Sequence, residues 1–561
     1  MTFIDNDDII VVTMYIDDQE YTYKGKTYRR VLLRNSYRVN GKVRHDTVAN
    51  LSKCSDEEIE AFKLALQYKG NLTELKNIKQ DLKMEQGMSV GAVWVLSQLA
   101  KKLGIVKILG NTKQAKLVLW LIMATLIEQG SRLSATRLAK RHAVCDILGI
   151  ENGFSEDDLY LAMDWLEEKQ SDIEKKLSQF YYGDKMPNFY LYDVTSSYFE
   201  GNQNELANFG YNRDKKAGKM QIVIGLMTDD DGHPIAIEVF EGNTQDSKTV
   251  SNQIEKMANR FGVEKVTLIG DRGMIKSQQI DELNNEHQFN YITAITKAQI
   301  KKLINDELIQ LDLFDEDIVE IEDGNVRYML RRNPARAEEI ENTRQSKLAS
   351  IRKLVDKKNQ YLKQHSRAKI SQAIKEIQNK INRLKIQQWL ITKTNNRFIS
   401  IDIDEEQKLE ASKFDGCYVI KTDLQKDISA NIIHNRYKDL AVVENAFRTM
   451  KTAFLEMRPI FVRKKERTKA HVFIIMLAYM IEHQLRKDWR KVDVTVQEGI
   501  AELASICSIK IKIAGKMSYQ TIPTPGQLGK TLLKKIGVGL PSTIPNINAI
   551  VHTRKTLVSE R

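Results

Sequence analysis

Three polar residues recur at intervals of seven in residues 435–451, a stretch whose apolar residues repeat at helical spacing. Tyr437, Glu444 and Lys451 would therefore lie two turns apart on one helix face, drifting by only ~20° per step. A carboxylate between a phenol and an ammonium group can bind a metal ion while its neighbours hold an anionic substrate. The stretch predicts a helix that contributes one acid to such a site.

Two further acids lie next to predicted strands. Asp193 ends the first strand of a predicted sheet, and Asp271 directly follows the fourth. If those strands are neighbours, both carboxylates emerge close together, and Glu444 could reach them from a helix on the sheet. A lone Asp at a strand end is more often a turn or capping residue, so the prediction depends on the three acids occurring together.

The three acids offer hard oxygen ligands without a nearby cysteine or dedicated histidine, which suits Mg²⁺ or Mn²⁺ rather than zinc. Two such ions ~4 Å apart can activate a water or a 3'-hydroxyl and stabilise the leaving oxygen of a phosphodiester. The chemistry would be phosphoryl transfer by positioning and charge neutralisation, with no covalent protein intermediate.

A sheet that positions these acids is predicted from residue 187 onward. Three strands form a meander with a turn at Asp231-Gly232, and helix, strand, helix and strand follow. The predicted strands are 188–194, 219–228, 234–240, 265–270 and 291–295, and the predicted helices are 247–261 and 277–287. This order is typical of an RNase H-like core.

The N-terminal region reads differently. Alternating segments between residues 8 and 51, turned by Asn40-Gly41, predict strands and a β-hairpin. Residues 55–179 have a helical pattern that starts with a capping box, Ser55 to Glu58. Within it, the basic helix 135–142 could enter a DNA groove.

The predicted core is interrupted by an insertion. Residues 301–333 and 396–425 predict short strands, and between them apolar residues follow a heptad rhythm. Two helices within about 335–388 are expected to fold back near His365-Ser366 as an antiparallel hairpin. The hairpin is expected to contact DNA ends or pair subunits, unless it is only a spacer.

We therefore predict a mixed α/β protein with an RNase H-like catalytic core and a β/helical-hairpin insertion, preceded by a β-hairpin and a helical N-terminal region. The predicted domains are an N-terminal β-rich domain (1–53), a helical domain expected to bind DNA (54–185), the first part of the core (186–300), the insertion (301–428), the second part of the core with the Glu444 helix (429–490) and a basic C-terminal region (491–561).

Composition narrows the functional class. The 561 residues carry a net charge of +12, which favours an anionic partner such as nucleic acid. The four cysteines are far apart in the sequence, so we expect free thiols in a reducing compartment rather than a disulfide framework or zinc site. The N-terminus lacks a signal-peptide pattern, and the longest apolar runs, 117–127 and 472–481, are too short to cross a bilayer. We expect a soluble intracellular protein.

Several motifs resemble those of insertion-sequence DDE transposases. The closest resemblance is to the group with an insertion before the catalytic Glu and a Tyr-Arg-Glu-Lys signature, and it covers roughly residues 188–485. The motifs are Tyr192-Asp-Val-Thr-Ser-Ser-Tyr-Phe-Glu-Gly201, Gly225-Leu-Met, Gly242-Asn-Thr-Gln-Asp246, Ile269-Gly-Asp-Arg-Gly273 and Tyr437-x2-Leu-x3-Glu444-x6-Lys451. Each motif alone is weak, but their order is specific.

The resemblance implies a metal-binding catalytic triad of Asp193, Asp271 and Glu444. It also implies that Tyr437 and Lys451 hold the DNA backbone near the cleaved end. One departure is that Leu440 occupies the Arg position of the signature. Arg448, four residues after Glu444, could contact the phosphate in its place. Otherwise Arg436 or Lys438 serves, or activity is weakened.

Other polar residues near the motifs leave alternatives open. Arg213 and Lys219 precede a core strand and could touch the DNA backbone, although a solvated loop explains them equally well. For His233, His434 and His471 we expect packing or supporting roles, because the proposed chemistry needs no histidine.

The resulting expectation is a bacterial DNA transposase in the cytoplasm, associated with the nucleoid and not with a membrane. It would bind the terminal inverted repeats of an insertion sequence as a homodimer, cleave each end with two Mg²⁺ or Mn²⁺ ions, and join the 3'-hydroxyl to target DNA. The alternatives are an RNase H-like nuclease or resolvase without strand transfer, and a non-catalytic DNA-binding regulator derived from a transposase.

Overall fold

The computed structural model describes residues 13–23, 26–39, 42–67, 69, 82–183, 187–214, 216–261, 266–283, 289–458, 461–513 and 517–553. These residues form two units. The first comprises the described parts of 1–88, 507–524 and 541–544, and the second comprises the described parts of 89–506, 525–540 and 545–561.

The strands are β1 (Thr13–Tyr23), β2 (Lys26–Val39), β3 (Lys42–Asn50), β4 (Leu82–Ser89), β5 (Phe189–Tyr198), β6 (Gln221–Thr228), β7 (Pro234–Glu241), β8 (Thr267–Gly270), β9 (Asn290–Ala294), β10 (Val319–Asp323), β11 (Val326–Arg332), β12 (Leu390–Asn395), β13 (Phe398–Ile403), β14 (Cys417–Thr422), β15 (Cys507–Ile513) and β16 (Met517–Thr521).

The helices are α1 (Asp56–Gln67), α2 (Gly91–Lys102), α3 (Ile105–Leu109), α4 (Lys113–Ile127), α5 (Arg132–Ala139), α6 (Val144–Leu148), α7 (Glu156–Tyr182), α8 (Asp246–Phe261), α9 (Ser277–Asp281), α10 (Lys297–Asn305), α11 (Pro334–Gln364), α12 (Ile370–Leu384), α13 (Glu405–Ser412), α14 (Ala430–Lys438), α15 (Leu440–Met450), α16 (Lys465–Trp489), α17 (Val496–Ala504) and α18 (Gln527–Ile536).

The first unit contains the predicted N-terminal hairpin. β1, β2 and β3 pair antiparallel in that order. Val39 lies opposite Lys42, as a two-residue connection requires, which confirms the pairing. The turn residues Asn40 and Gly41, and residues 8–12 of the predicted first strand, lie outside the described residues.

The region 55–179 is not helical throughout. α1 begins with the predicted capping box, because the Ser55 hydroxyl accepts the Glu58 backbone N–H (3.2 Å) and the Glu58 carboxylate accepts the Ser55 backbone N–H (2.8 Å). However, β4 lies within this region, so the prediction was wrong there. β4 forms a sheet with β15 and β16 in the order β16-β15-β4. Because these partners are distant in the sequence, the residues around β4 contain no hairpin pattern that would have predicted a strand.

The second unit is built on an eight-stranded sheet in the order β10-β11-β14-β9-β8-β5-β6-β7. β5, β6 and β7 form an antiparallel meander, and β8 and β9 run parallel to β5. This order confirms the predicted mixed α/β fold with an RNase H-like core. One detail was wrong: β5 continues to Tyr198, so Asp193 lies within the strand and not at its end.

The sheet is held between apolar helix faces. Every residue of β6 is buried. On α8, Val250 and Ile254 belong to the same buried cluster as Tyr190 and Tyr192 of β5. α16 is buried along most of its length and packs against α4, α7 and β7.

No described helix combines the length and apolar character needed to cross a membrane.

The insertion extends the core sheet. β14 pairs antiparallel with β9, and β11 and β10 continue outward from β14. α11 and α12 form the predicted helical hairpin and pack through the apolar residues that the heptad rhythm identified. The buried members of that set are Leu348, Ile351, Val355, Leu362, Ile377 and Ile381.

The helix predicted for residues 435–451 is divided in two. α14 ends at Lys438 and α15 begins at Leu440, so the prediction of one continuous helix was wrong at Asp439. The offset is small, because Asp439 keeps φ −62° and ψ −14°. Lys451 follows the last residue of α15 as its C-cap.

A tight contact in the core sheet gives a stability prediction. A Cβ at Gly225 would lie 2.8 Å from Cζ of the buried Tyr192 ring. We expect Gly225→Ala to lower the free energy of unfolding by about 1–3 kcal/mol, because the ring has to move within a packed core. Differential scanning calorimetry measures this as a lower melting temperature. Gly201→Ala is the matched control, since a Cβ there meets no atom within 4 Å; equal melting temperatures for both variants would contradict the packing argument.

Candidate active site

Asp193 lies in the middle of β5, opposite Leu226 of β6, and is partly buried. Removal from water, together with repulsion from Glu444 and Asp271, raises the pKa of Asp193 from 3.8 to about 6. Arg213 and the Val194 backbone N–H act in the opposite direction. The structure therefore brings Asp193 within electrostatic reach of both other predicted acids.

Asp271 follows β8 directly. β8 pairs in parallel with β5, with Gly270 opposite Tyr192, so the next residue of each strand is an aspartate at the same level of the sheet. The Asp271 side chain is exposed, and its Oδ1 accepts the backbone N–H of Arg272 (2.7 Å). The predicted proximity of the two aspartates thus arises from strand pairing.

Tyr437 also contacts this site. Its hydroxyl donates to Asp271 Oδ1 at 3.2 Å. Burial, and then the charge of Asp271, raise the pKa of Tyr437 well above its usual value, so the hydroxyl keeps its proton and remains a donor. Sequence reasoning predicted that Tyr437 contacts DNA, but it missed the hydrogen bond to Asp271.

Glu444 approaches from the helix side of the sheet. α15 packs against β5 and β6 through a face that includes the buried Val443 and Phe447. Glu444, the residue after Val443, is exposed. Its charge contributes to the raised pKa of Asp193, so the helix holds this carboxylate within electrostatic range of Asp193.

The three acids have the right chemistry to hold a divalent cation, since all their donors are carboxylate oxygens. Within the described ranges, however, no three His, Cys, Asp or Glu side chains converge closely enough to form a finished metal site. Asp271 and Glu444 are near enough to repel Asp193, but the three carboxylates do not converge on one point. A bound divalent cation would replace this repulsion by attraction of each carboxylate to the cation.

Three of the residues predicted to bind DNA are cations that already pair with carboxylates. The pairs are Lys451 with Asp214 (2.8 Å), Arg213 with Asp246 (2.5 Å) and Lys219 with Glu200 (2.8 Å). Sequence reasoning missed all three acidic partners. Asp214 could have been suspected, because it is a single acid within a basic segment.

The predicted cations lie at different distances from the acids. Arg213 is close enough to lower the pKa of Asp193. Lys219 lies away from the acids. It precedes Gln221, the first residue of β6, and Gln221 pairs with Tyr198 of β5. Tyr198 is five residues, or about 17 Å, along β5 from Asp193. Arg448 is exposed one turn after Glu444, and in the described part of the chain no carboxylate forms an ion pair with it.

Leu440, which stands at the Arg position of the Tyr-Arg-Glu-Lys signature, packs as an apolar core residue in the structure. Leu440 is 7% exposed and belongs to the buried face of α15. Arg436, one of the suggested replacements, pairs with Asp230 (2.7 Å) and Asp439 (3.0 Å). Arg448 and Lys438, the other two suggested replacements, are both exposed, and within the described residues neither forms an ion pair with a carboxylate.

The three histidines near the motifs are withdrawn from solvent. Burial lowers the pKa of His233 to about 4 and that of His471 to about 3. His434 is buried and bonds to the Tyr418 hydroxyl through Nε2 (2.5 Å). These environments are consistent with packing and supporting roles.

Comparison with protein families gives two matches. Residues 184–481, more than half of the chain, match the transposase DDE domain, and residues 19–77 match the N-terminal domain of IS1634 family transposases. The chain therefore belongs to the DDE transposases of insertion sequences, which confirms the family resemblance. A search of curated proteins gave no match.

Among solved structures, one match is a piggyBac transposase synaptic complex with hairpin DNA, determined by cryo-EM. It has 9% sequence identity and a TM-score of 0.32, and the match covers 69% of each chain.

Because the pKa of Asp193 is raised, replacing its carboxyl by a neutral amide is expected to increase the free energy of unfolding by an amount that depends on pH. Above pH 6 the folded protein carries this unfavourable charge, whereas below about pH 3 the carboxyl is protonated in both the folded and the unfolded state. We expect Asp193→Asn to stabilise the protein at pH 8 by up to about 3 kcal/mol and by roughly half as much at pH 5. Melting temperatures of both proteins across this range measure the difference. Asp312→Asn, at an exposed carboxyl, should show no such trend; a pH-independent effect of Asp193→Asn would contradict the coupling.

Proposed function

We propose that this transposase binds the terminal inverted repeats of an insertion sequence, cleaves the DNA at each end and joins the freed 3'-hydroxyl to target DNA. The observation that carries the proposal is the electrostatic coupling of Asp193 to Asp271 and Glu444 across two parallel strands and a helix. As a bacterial DNA enzyme it would act on the nucleoid in the cytoplasm.

Asp193, Asp271 and Glu444 would hold two Mg²⁺ or Mn²⁺ ions. Bound there, the ions would activate the attacking water or 3'-hydroxyl and stabilise the leaving oxygen. Tyr437 would orient Asp271 through its hydrogen bond. Asp193 has to be deprotonated to contribute, and Arg213 favours its charged form.

The cations around the acids would bind the DNA backbone. Lys451 and Arg213 would exchange Asp214 and Asp246 for phosphate oxygens, and Lys219 would contact the backbone further along the sheet. Arg448 would meet a phosphate without first giving up a carboxylate. Each phosphate contact releases counterions, so binding would weaken with salt.

The helical hairpin would add a second DNA contact. Residues 334–389 contain 14 Lys and Arg but only 5 Asp and Glu, a net charge of +9 in a chain of +12. The apolar side of α11 faces α12, which leaves Arg352, Lys353, Lys357 and Lys363 exposed. A homodimer would bring two such surfaces to the paired ends.

The catalytic proposal is tested with duplexes carrying the inverted repeats that flank the coding region. With Mg²⁺ we expect cleavage at the repeat ends, and transfer of pre-cleaved ends into a plasmid. Asp193→Asn, Asp271→Asn and Glu444→Gln should each slow cleavage by more than about 100-fold, since even the partners of metal ligands are worth 10–100-fold. Gel assays of cleavage and joining measure this.

The control for these variants is Asp312→Asn, which should cleave normally. Unchanged cleavage by Asp193→Asn would contradict the site. Cleavage without joining would instead favour a nuclease or resolvase on the same core. DNA binding without cleavage by the unaltered protein would favour a non-catalytic regulator.

The hairpin proposal predicts a change in salt dependence. Replacing Arg352, Lys353 and Lys357 together by Gln should make the plot of log Kobs against log[salt] shallower, by about 0.9 for each phosphate that the hairpin no longer neutralises. Fluorescence anisotropy with inverted-repeat DNA measures the slope. The control replaces Lys301, Lys302 and Lys426, which are exposed outside α11 and α12. Equal slopes for both triple variants would mean that only net charge matters.

A further inference from the structure

Phe209 and Tyr211 are exposed to solvent on the loop that precedes Arg213. They are 69% and 83% exposed, the two highest values among the large hydrophobic side chains of the described residues. Single exposed apolar residues are ordinary. Two aromatic rings on one short loop, separated only by Gly210, are not explained by the packing of the fold.

The backbone that carries these rings is held firmly. Asn208 and Gln221 exchange two backbone hydrogen bonds, at 3.0 and 2.9 Å. The Gln221 side chain, which is 1% exposed, donates to the carbonyls of Tyr211 (3.1 Å) and Gly242 (2.8 Å). Any Cβ at Gly210 would overlap the Gly242 carbonyl. The rings are therefore exposed on a fixed loop.

The loop leads directly into the site. The Arg213 backbone N–H donates to the Ser196 hydroxyl at 2.9 Å, on the strand that carries Asp193. Asp214 pairs with Lys451 at the end of the Glu444 helix. The two rings are thus followed by residues that contact two of the three acid-bearing elements, β5 and the end of α15.

Charge near the loop indicates the kind of partner. Lys216 lies 5.6 Å from the centre of the Tyr198 ring and is exposed, and Arg213 and Lys451 lie on the site side. Exposed aromatic rings next to a row of cations match single-stranded nucleic acid, in which bases stack and phosphates are neutralised. Bases within an intact duplex do not offer their faces in this way.

We propose that Phe209 and Tyr211 stack on unpaired bases of the same DNA end whose phosphodiester the acids cleave. This inference rests on the proposed function and specifies its substrate as a DNA end with unpaired nucleotides. Because the backbone that carries the rings is already held by hydrogen bonds, stacking costs little backbone conformational entropy. The contact would tolerate any base, since every base has a π face.

Binding is measured by fluorescence anisotropy without divalent ions, which keeps cleavage out of the assay. The two probes are an inverted-repeat duplex with a blunt end and the same duplex with four unpaired terminal nucleotides. The unaltered protein should bind the second probe more tightly. The double variant Phe209→Ala with Tyr211→Ala should weaken that binding by about 10-fold or more, given the usual worth of base stacking, and should change blunt-end binding by less than about 2-fold.

Two controls separate stacking from a general decrease in apolar surface. Phe209→Tyr with Tyr211→Phe keeps both rings and should bind like the unaltered protein. Phe398→Ala removes a ring that is 60% exposed in the β12–β13 hairpin and should also leave binding unchanged. Melting temperatures should stay equal, because the substituted side chains are not buried.

The inference is overturned if the double variant binds both probes like the unaltered protein, or loses affinity equally for both. It is also overturned if light scattering shows that the variant no longer self-associates while its preference for unpaired ends is intact, since the rings would then join protein copies. Failure of the unaltered protein to bind either probe would instead overturn the proposed function.

Discussion

Asp271 and Glu444 both repel Asp193, and the positions of the three acids are set by strand pairing and helix packing. The parallel register of β5 and β8 sets the two aspartates side by side. The buried face of α15 holds Glu444 over the same sheet. Such an arrangement costs stability when no cation is bound, and active sites commonly retain unfavourable charge of this kind. The surrounding core, including the fully buried β6, supplies the stability that makes it tolerable.

The residues around the acids are arranged to offset that charge in part. Arg213 stabilises ionised Asp193, while Tyr437 donates its hydrogen bond to Asp271. Lys451 and Arg213 are in turn paired with the carboxylates of Asp214 and Asp246. A phosphate that binds Lys451 or Arg213 would have to compete with an existing ion pair. A single phosphate contact would then gain little, and binding would depend on several contacts forming together.

Sequence patterns predicted the elements whose signal is local. Continuous apolar runs identified the core strands, and the heptad rhythm identified α11 and α12. The division of the Glu444 helix at Asp439 was missed because apolar periodicity runs through it. β4 was missed because its partners, β15 and β16, lie at the other end of the chain. At the site, residue types and order predicted the three acids, but ion-pair partners such as Asp246 depend on loop conformation, which no periodicity encodes.

The insertion is coupled to the site through the sheet and not through a flexible tether. β14 pairs with β9, the neighbour of the strand that precedes Asp271, and Thr293 of β9 donates a hydrogen bond to the Asp271 carbonyl at 3.4 Å. On the other side, the buried pair of Arg344 with Asp415 ties α11 to the segment that enters β14. The helical hairpin is therefore connected to the edge of the sheet that carries Asp271 by hydrogen bonds and a buried ion pair. Because removing one partner of such a buried pair leaves an uncompensated charge, this connection resists partial loosening. DNA bound along the basic side of α11 would consequently be held in a fixed orientation relative to the acids.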